Sequence, residues 1–558
     1  MDAPRTAEEP TRDPAQDPAG SEQEHGPAPA RTPSRPAARR ARLPAALTAL
    51  AAVGALALTA CGSQPSTGSA QAPDGADPAL AALYEQELEW GDCEGGGGGL
   101  GGLLGGGDLE CAQLSVPVDY AQPAGETTEV ALSRLASSGD ASQGALLVNP
   151  GGPGASGVDL MGAAEQVFAD PVREAYDIVS FDPRGVARSD GIECLDDEQM
   201  DAWRSQAAVD PQGQPADDLR QEYRELGESC AEDSGPVLEH MGTGSVARDL
   251  DLMRAALGQE RTDYLGFSYG THIGAEYAGL FPERVGRFVL DAGVDPTLST
   301  HEIALGQARG FDESMRRFME DCVTSQEQCF TDGSVEQGLT EVREILARTE
   351  REELTGDGGR RVSAVQAAEG MIAPLYTTAT YSILNEALRD ADDGDYAALQ
   401  ELSDANHGRQ SDGTYRGNST EAFTAVSCLD TTDETATDED MARDQRELSE
   451  QAPTFGPYLG YTEAACQGWP YGPADEQTGS YTGETEILVV GATQDPATPY
   501  AWSEALTEQL GAARLLTRDG LGHVSYTSGN GCIVESVDAY LLEGALPEED
   551  TVCPDVGL

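Results

Sequence analysis

The stretch Asp263-Tyr264-Leu265-Gly266-Phe267-Ser268-Tyr269-Gly270-Thr271 decides the fold of this chain. It contains the pattern Gly-x-Ser-x-Gly, in which a strand turns sharply into a helix and holds a serine at the apex. Gly266 and Gly270 occupy the two positions where a Cβ would collide with the neighbouring strand or helix. An ordinary glycine-rich turn is the alternative, but residues 271–280 directly after it have the pattern of a helix. The stretch therefore predicts that Ser268 is a nucleophile on a strained turn.

A serine hydroxyl needs a neutral imidazole to take its proton and a carboxylate to fix the imidazole tautomer. Both follow later in the chain. The apolar strand 485–494 ends at Asp495, and a glycine-bearing loop after the strand-like run 513–517 carries His523. The order serine, aspartate, histidine is the order found in α/β hydrolases. The sequence therefore predicts an α/β-hydrolase fold with Ser268, Asp495 and His523 as its catalytic triad.

Acyl transfer also needs donors for the negatively charged oxygen that forms during the reaction. The buried strand 144–149 runs into Asn149-Pro150-Gly151-Gly152-Pro153-Gly154, a loop whose glycines let backbone amides approach a ligand closely. Proline has no N–H, so only the glycines of this loop are possible donors. We expect the donors to be the amides of Gly152 and Tyr269; an ordinary tight turn is the alternative.

The first sixty residues predict export. Arg39-Arg40-Ala41-Arg42 is followed by the uncharged stretch 43–60 and then by Cys61. This pattern is typical of a bacterial lipoprotein signal peptide, whose cleavage leaves a lipid-modified cysteine as the first mature residue. We expect an extracellular protein that a lipid on Cys61 anchors to the outer face of the cell membrane, with residues 61–85 as a flexible tether. A transmembrane anchor is the alternative, because about 18 apolar residues are the lower limit for a span.

Cysteine usage agrees with export. Of the eleven cysteines, ten remain when Cys61 is set aside, and no Cys-x-x-Cys pair is present. The sequence therefore predicts disulfides, and it predicts neither a metal site nor a cofactor. Spacing suggests neighbouring partners but leaves the connectivity open. The suggested pairs are Cys93–Cys111, Cys194–Cys230, Cys322–Cys329, Cys428–Cys466 and Cys532–Cys553.

The charge balance limits the possible partners. The chain has 98 acidic and 34 basic residues, and because residues 1–61 carry seven of each, the remainder bears the whole net charge of −64. Such a field disfavours nucleic acid and anionic lipid head groups as partners. One interpretation is attraction of cationic substrates, such as peptides with free amines; a soluble, salt-tolerant surface is the other.

The order of predicted elements indicates a mostly parallel sheet with an inserted helical cap. Strands alternate with other elements through residues 86–296, the first part of the hydrolase core. Residues 297–484 have a mostly helical and acidic pattern, and residues 485–558 resume the sheet and carry the acid and the base. An insertion at this point would cover the serine from above the strand ends. The candidate helices of the insertion are 303–323, 334–352 and 363–391.

Further motifs extend along nearly all of the chain after Cys61. They are Trp90, Cys93, Cys111-Ala112, Val116-Pro117-Val118-Asp119-Tyr120, Phe181-Asp182-Pro183-Arg184-Gly185, Ala247-Arg248-Asp249-Leu250-Asp251, Leu280-Phe281-Pro282, Gly522-His523, Tyr540-Leu541 and Leu546-Pro547. With the motifs above, they make the chain resemble the secreted tripeptidyl aminopeptidase and proline iminopeptidase group of α/β-hydrolase serine peptidases, of the actinobacterial lipoprotein type. The resemblance implies hydrolysis of peptide bonds near a free N-terminus, a cap domain and a C-terminal module that completes the triad. Two residues depart from the family pattern: Ala187, where glycine is frequent, and Val524, where a small residue is common.

An exopeptidase must bind the ammonium group of its substrate, and in a partly dry pocket carboxylates serve this purpose best. Our candidate is Asp430, because a disulfide at Cys428 would hold its segment in place. A solvated surface aspartate is the alternative.

The sequence thus favours an extracellular serine exopeptidase that acts on peptides with a free N-terminus through an acyl-enzyme. An esterase or amidase of the same fold that acts on small molecules is one alternative, because fold and triad are the same for both. An inactive hydrolase-like surface binding protein is another. The sequence gives no indication of the oligomeric state.

Overall fold

The computed structural model of the chain describes residues 72, 77–93, 109–139, 142–206, 216–325, 329–431, 435–473 and 480–555. The predicted signal peptide, the lipidation site Cys61 and most of the predicted tether lie outside these residues. Within them, no helix combines the length and the apolar character that a membrane span requires.

One ten-stranded sheet forms the centre of the described part of the chain, with the spatial order β1-β2-β3-β5-β4-β6-β7-β8-β9-β10. The pairs that involve β1, β2 and β3 are antiparallel, and those from β5–β4 to β9–β10 are parallel. This arrangement confirms the mostly parallel sheet that the sequence predicted. The strands are β1 (Gly91–Asp92), β2 (Leu109–Pro117), β3 (Thr127–Leu135), β4 (Ala145–Asn149), β5 (Asp177–Phe181), β6 (Thr262–Phe267), β7 (Val285–Asp291), β8 (Ile487–Gln494), β9 (Ala513–Leu521) and β10 (Val552–Pro554).

The strand that precedes Ser268, β6, lies in the middle of the sheet, between β4 and β7. Both β4 and β6 are buried along nearly their whole length, which explains why they are continuous apolar runs in the sequence. On its other side β4 pairs with β5, so the chain order reverses between β4 and β6. Open α/β sheets bind their ligands in the crevice at such a reversal, outside the carboxyl ends of the strands.

Helices cover both faces of the sheet and form a further layer above the carboxyl ends of its strands. They are α1 (Pro78–Leu83), α2 (Gly157–Leu160), α3 (Ala164–Val167), α4 (Asp170–Ala175), α5 (Asp197–Gln206), α6 (Ala216–Ser234), α7 (Thr243–Ala256), α8 (Tyr269–Leu280), α9 (Thr300–Ser325), α10 (Val335–Arg351), α11 (Ala364–Ile372), α12 (Tyr381–Asp392), α13 (Ala397–Asn406), α14 (Ser419–Asp430), α15 (Asp438–Gln451), α16 (Thr462–Gly468), α17 (Tyr500–Leu510) and α18 (Gly531–Glu543).

The apolar core has one part on each face of the sheet and one part in the helical layer. Leu147 belongs to the cluster on one face, and its neighbour Leu146 belongs to the cluster on the other, because successive side chains of a strand point to opposite faces. A separate apolar cluster is formed by the helices from α9 through α13. Its buried members include Phe311, Phe318 and Met371. The helical layer is therefore held together by its own core as well as by the sheet below it.

One of the three candidate helices of the insertion differs from the observed structure. The candidate helix 363–391 is wrong, because the chain breaks between α11 and α12 into the 3₁₀ turns Ala373–Tyr376 and Thr378–Thr380. Pro374 causes the break, since proline has no N–H and its ring clashes with the preceding turn of an α-helix. The break leaves Tyr376 in an irregular segment that faces the sheet.

Two helices that precede β6 also join this layer. Helix α6 packs against α16, and Arg204 of α5 forms a buried ion pair with Asp404 of α13 at 2.9 Å. The layer therefore draws on α5 and α6, which precede β6, as well as on the helices α9 to α16, which follow β7. The limits of the inserted cap domain, residues 297–484, remain a prediction from the sequence.

The ten cysteines of the described residues form five disulfides, which are the pairs that spacing suggested: Cys93–Cys111, Cys194–Cys230, Cys322–Cys329, Cys428–Cys466 and Cys532–Cys553. One of them bears directly on the candidate site. The disulfide Cys428–Cys466 joins α14 to α16 and so fixes the end of the helix that carries Asp430.

Candidate active site

Ser268 stands at the junction of β6 and α8. Its backbone has φ 54° and ψ −124°, a strained conformation for a residue with a side chain. A Cβ on Gly266 would lie 2.4 Å from the carbonyl oxygen of Gly270, and a Cβ on Gly270 would lie 2.9 Å from the carbonyl oxygen of Asn149. The amide of Thr271 closes the turn by donating to the carbonyl of Ser268 at 2.8 Å. Both glycines of the motif are therefore required for the turn that presents the serine.

The structure brings Asp495 and His523 into direct contact. Nδ1 of His523 lies 2.9 Å from both carboxylate oxygens of Asp495. The same carboxylate accepts the amides of Ala497 and Thr498 at 2.9 Å, and it is almost fully buried. The carboxylate holds the proton of a neutral imidazole on Nδ1, so Nε2 is left as the acceptor that a general base needs.

Two carboxylates influence the titration of His523. Burial alone would lower the pKa of His523, but the charge and hydrogen bond of Asp495, aided by Asp291, raise it above its usual value of 6.5. Asp291 ends β7 and accepts the amides of Ser525 and Tyr526 at 2.7–3.0 Å. Burial raises the pKa of Asp291 to about 6, although these amides oppose the shift. Asp291 therefore holds the loop after His523 in place and adds negative charge beside the imidazole.

The glycine loop after β4 lies directly on the serine turn. A Cβ on Gly151 would be 3.0 Å from Cβ of Ser268 and 3.1 Å from the nitrogen of Tyr269. The amide of Gly151 is already used, because it donates to Oδ1 of Asn149 at 2.9 Å. In the described part of the chain the amide of Gly152 has no acceptor, and Tyr269 begins α8, where an amide has no intrahelical acceptor. The predicted donors Gly152 and Tyr269 are therefore both free to bind an oxyanion.

Asp430 lies beside the residue that follows the serine. It ends α14, and its carboxylate accepts the amide of Thr243 at 2.8 Å and the Thr243 hydroxyl at 2.6 Å. The hydroxyl of Tyr269 is 3.5 Å from the same carboxylate and also hydrogen-bonds to Thr243. Burial raises the pKa of Asp430, although His272 and these hydrogen bonds oppose the shift. The packing of α14 thus places this carboxylate one side chain away from the serine turn.

Two aromatic residues of the helical layer also reach the site, and the sequence analysis missed both. Tyr376 lies on His523: its carbonyl accepts the His523 amide at 2.9 Å, and the two rings meet edge to face with centroids 5.3 Å apart. Phe423 lies at the glycine loop, because a Cβ on Gly154 would be 3.1 Å from its amide nitrogen. Pro374 is the signal that could have located Tyr376, since it marks the break between two helices. No local signal marks Phe423.

The two departures from the family pattern both fall at positions with a left-handed backbone. The φ angle is 45° at Ala187 and 65° at Val524. Glycine adopts such angles without steric cost, whereas a β-branched residue such as valine is a genuine outlier there. This is the physical reason why glycine or a small residue suits both positions. Val524 carries its strain directly after His523.

Among the described residues, one set of possible metal ligands lies apart from the predicted triad, whereas the sequence predicted no metal site. His301 of α9 and Asp444 and Glu447 of α15 have ligand atoms that all lie within 4.8 Å of one another. Nε2 of His301 is 3.6 Å from Glu447, and Arg443 already pairs with Asp444. These residues belong to the helical layer, and they have no part in the reaction considered below.

Two family models match the chain, each over a different part of the site. The model described as alpha/beta hydrolase fold matches residues 144–343, which include the glycine loop and Ser268. The model described as TAP-like protein matches residues 452–553, which include Asp495 and His523. The matches together span the three predicted catalytic positions.

Three similar proteins match most of this chain. Serine protease Hip1 from Mycobacterium tuberculosis is 35% identical over 484 residues, which are 84% of this chain and 91% of that protein. Carboxylesterase B from Mycobacterium tuberculosis is 33% identical over 455 residues, 79% of this chain and 86% of that protein. Tripeptidyl aminopeptidase from Streptomyces lividans is 32% identical over 465 residues, 80% of this chain and 83% of that protein. The chain therefore belongs to the family of α/β-hydrolase serine hydrolases that includes serine protease Hip1 and tripeptidyl aminopeptidase.

Proposed function

We propose that the protein is a serine exopeptidase that releases short peptides, in particular tripeptides, from the free N-termini of its substrates. The observation that carries the proposal is the position of Asp430, which puts a carboxylate of the helical layer beside the serine turn. The similarity to a tripeptidyl aminopeptidase and to a serine protease supports it. The negative charge of the whole chain also favours the approach of a cationic N-terminus.

The catalytic groups would act in two half-reactions. In the first, Oγ of Ser268 attacks the peptide carbonyl while Nε2 of His523 takes its proton. The amides of Gly152 and Tyr269 bind the resulting oxyanion. The imidazolium then gives its proton to the leaving amine, the C–N bond breaks, and an acyl-enzyme remains. In the second, water attacks the ester in the same way, and the released peptide acid leaves the serine free.

The length of α14 supports a tripeptide as the product. Phe423 and Asp430 are seven residues apart, so they lie on the same face of the helix and about 10.5 Å apart along its axis. Phe423 lies at the glycine loop, where the scissile carbonyl would bind, and Asp430 lies at the far end. Three residues of an extended peptide span about 10 Å. An ammonium group three residues before the scissile bond would therefore meet Asp430.

Acetylation of the substrate amine tests the proposal. We expect kcat/KM for a tripeptide amide to fall roughly 30- to 1000-fold on acetylation, or about 2–4 kcal/mol, because Asp430 would lose a charge-assisted partner and stay desolvated. Asp430→Asn should lower kcat/KM for the free amine by most of this factor and have little effect on the acetylated substrate. The measurement compares kcat/KM for the unmodified enzyme and for Asp430→Asn, each with the free and with the acetylated substrate, as in a double-mutant cycle.

Asp390→Asn is the matched control, because Asp390 is an exposed aspartate of the helical layer on α12. It should leave both substrates unaffected. Equal turnover of free and acetylated substrates by the unmodified enzyme would overturn the exopeptidase proposal. Dependence on the amine without an effect at Asp430 would assign amine recognition to another acid.

An esterase is the second candidate function, because Carboxylesterase B is as similar to this chain as the peptidases are. Fold and triad do not distinguish the two activities. A direct comparison of kcat/KM for tripeptide amides and for simple acyl esters decides between them. Faster turnover of the amides supports the peptidase; turnover of the esters alone supports the esterase.

We further propose that the protein is anchored to the outer face of the cell membrane by a lipid on Cys61. The support is the sequence Leu58-Thr59-Ala60-Cys61 after an uncharged stretch and a basic segment. Cys61→Ala should abolish partition into detergent and slow the processing of the signal peptide. An unchanged membrane fraction would instead indicate an uncleaved transmembrane anchor.

A further inference from the structure

Two partly exposed aromatic residues contact the loops of the candidate site: the ring of Tyr376 packs on His523, and the backbone of Phe423 packs on the glycine loop. Among the described residues, five large apolar side chains are more than a third exposed: Val323, Tyr376, Ile383, Phe423 and Val552. Tyr376 is 37% exposed and Phe423 is 51% exposed. Ligand pockets are lined mainly by apolar and aromatic side chains. These two residues are therefore candidates for contact with the substrate.

Phe423 and Tyr376 contact loops that lie on opposite sides of Ser268 in the strand order. In the sheet, β4 is one neighbour of β6, whereas β9 lies three strands away on the other side. Phe423 packs at the loop that follows β4, and Tyr376 packs on His523, which follows β9. A substrate bound across the serine would therefore pass one ring on each side of the bond that is cut.

The chemistry of the reaction decides which side of the substrate each ring meets. The base must return its proton to the leaving amine, so the leaving part of the substrate lies on the side of His523 and Tyr376. The carbonyl oxygen must face the amides of Gly152 and Tyr269, so the acyl part lies on the side of the glycine loop and Phe423.

We propose that Phe423 and Tyr376 are specificity residues of two different subsites, both of which take apolar side chains. Phe423 borders the subsite for the acyl part, and Tyr376 borders the subsite for the first residue of the leaving peptide. This inference rests on the proposed peptidase function. An aromatic wall binds an apolar or aromatic side chain more strongly than it binds glycine, because the contact removes apolar surface from water.

A set of four peptides tests the inference. The peptides share a free N-terminus and carry phenylalanine or glycine immediately before, and phenylalanine or glycine immediately after, the scissile bond. We expect Phe423→Ala to lower the preference for phenylalanine over glycine before the bond roughly 10- to 100-fold, without a matching change after it. Tyr376→Ala should show the opposite pattern. The measured quantity is the ratio of kcat/KM values within each pair of peptides.

Three further measurements separate this role from a structural one. Tyr376→Phe keeps the ring and should keep the preference of the unmodified enzyme; a loss as large as that of Tyr376→Ala would place the effect in the hydroxyl and overturn the proposal for this residue. Val552→Ala removes an exposed apolar side chain from the edge strand β10 and should leave both preferences unchanged. The rate at which a fluorophosphonate labels Ser268 reports whether the catalytic loops remain in place.

The outcomes distinguish this inference from the proposed function. If the unmodified enzyme cleaves none of the four peptides, the peptidase function itself fails. If the enzyme cleaves them but both alanine variants lower kcat/KM equally for all four, the rings support the catalytic loops and select no substrate, and the inference is overturned. The inference is supported if Phe423→Ala loses the preference for phenylalanine only before the scissile bond and Tyr376→Ala loses it only after the bond.

Discussion

The loops at the strand ends and the helical layer above them contribute to the same site in different ways. Ser268, Asp495 and His523 each stand in a short motif that a few residues of the sequence suffice to locate. Tyr376 and Asp430 come to the site only because helices far apart in the chain pack together. The comparison teaches that the candidate catalytic residues can be located from local motifs, whereas the residues proposed to bind the substrate come to the site only through tertiary packing.

The largest effect should come from the strand-end loops. Ser268→Ala should lower kcat on the order of 10⁴-fold or more, because the hydroxyl is the attacking group. The thermal unfolding temperature should stay close to that of the unmodified enzyme, since alanine keeps the backbone hydrogen bonds of the turn, from the Thr271 amide to the Ser268 carbonyl and from the Ser268 amide to the Asp291 carbonyl. Active-site titration of the purified variant checks for contamination. Substantial remaining turnover would show that Ser268 is not the nucleophile. The Gly-x-Ser-x-Gly motif would then not locate the chemistry.

The next effect should come from the helical layer. Replacement of Cys428 and Cys466 by alanine should lower the free energy of unfolding by about 2–4 kcal/mol, because a loop of 38 residues is released in the unfolded chain. Turnover of tripeptide amides should fall more than the rate of fluorophosphonate labelling at Ser268, because α14 loses its fixed end. The matched control removes Cys93–Cys111, which ties β1 to β2. That control should lose stability without a change in the ratio of the two rates.

Equal losses of amide turnover and of labelling in the Cys428 and Cys466 variant would show that the helical layer supports the chemistry as well. The division between local chemistry and nonlocal selectivity would then be wrong.

A smaller effect concerns the titration of His523. Because its pKa lies above 6.5, kcat/KM should fall on the acid side as the pH drops through that higher pKa, where the imidazole becomes protonated and cannot act as a base. Asp291→Asn removes a negative charge beside the imidazole. The pKa of His523, and with it the acid side of the pH profile, should therefore fall by roughly one pH unit, which corresponds to about 1.4 kcal/mol of lost interaction with the imidazolium. Glu535→Gln, an exposed change on α18, should leave the acid side of the profile in place. An acid side that stays in place in Asp291→Asn would show that Asp495 alone sets the pKa.

The smallest effect tests strain within the strand-end loops. Val524→Gly should raise the free energy of unfolding by about 0.5–1 kcal/mol, because relief of the φ of 65° outweighs the entropy that glycine adds to the unfolded chain. Val534→Gly is the control: this valine lies inside α18 with a helical backbone, so glycine should destabilise it by about 1 kcal/mol. Urea unfolding measures both. A loss of stability in Val524→Gly would show that the valine side chain contributes more by packing than it costs in strain.

The fold could be predicted, and the candidate catalytic positions could be located, because each rests on a local pattern. The central strands are apolar runs buried on both faces, and the glycines around Ser268 are required by contacts within the turn. The short edge strands Gly91–Asp92 and Val552–Pro554 could not be predicted, since only pairing with a neighbouring strand makes them strands.

The helical layer was predictable only where amphipathic periodicity and helix caps suffice. Candidate helices 303–323 and 334–352 lie close to the observed Thr300–Ser325 and Val335–Arg351. Candidate helix 363–391 failed at Pro374, and the irregular segment that results is the one that contacts His523. Asp291 escaped notice for a different reason: its role depends on the amides of a loop more than 230 residues later in the chain.

The regular rise of α14 has a consequence for how such enzymes can diverge. One turn of a helix rises about 5.4 Å, which is between one and two residues of an extended peptide. Val426 lies one turn before Asp430 on the same helix. A carboxylate transferred from position 430 to position 426 would hold the substrate N-terminus nearer to Ser268 and shorten the released peptide by one or two residues. Descendants of one ancestor could thus acquire different product lengths through paired substitutions on a single helix, while the sheet that performs the chemistry stays unchanged.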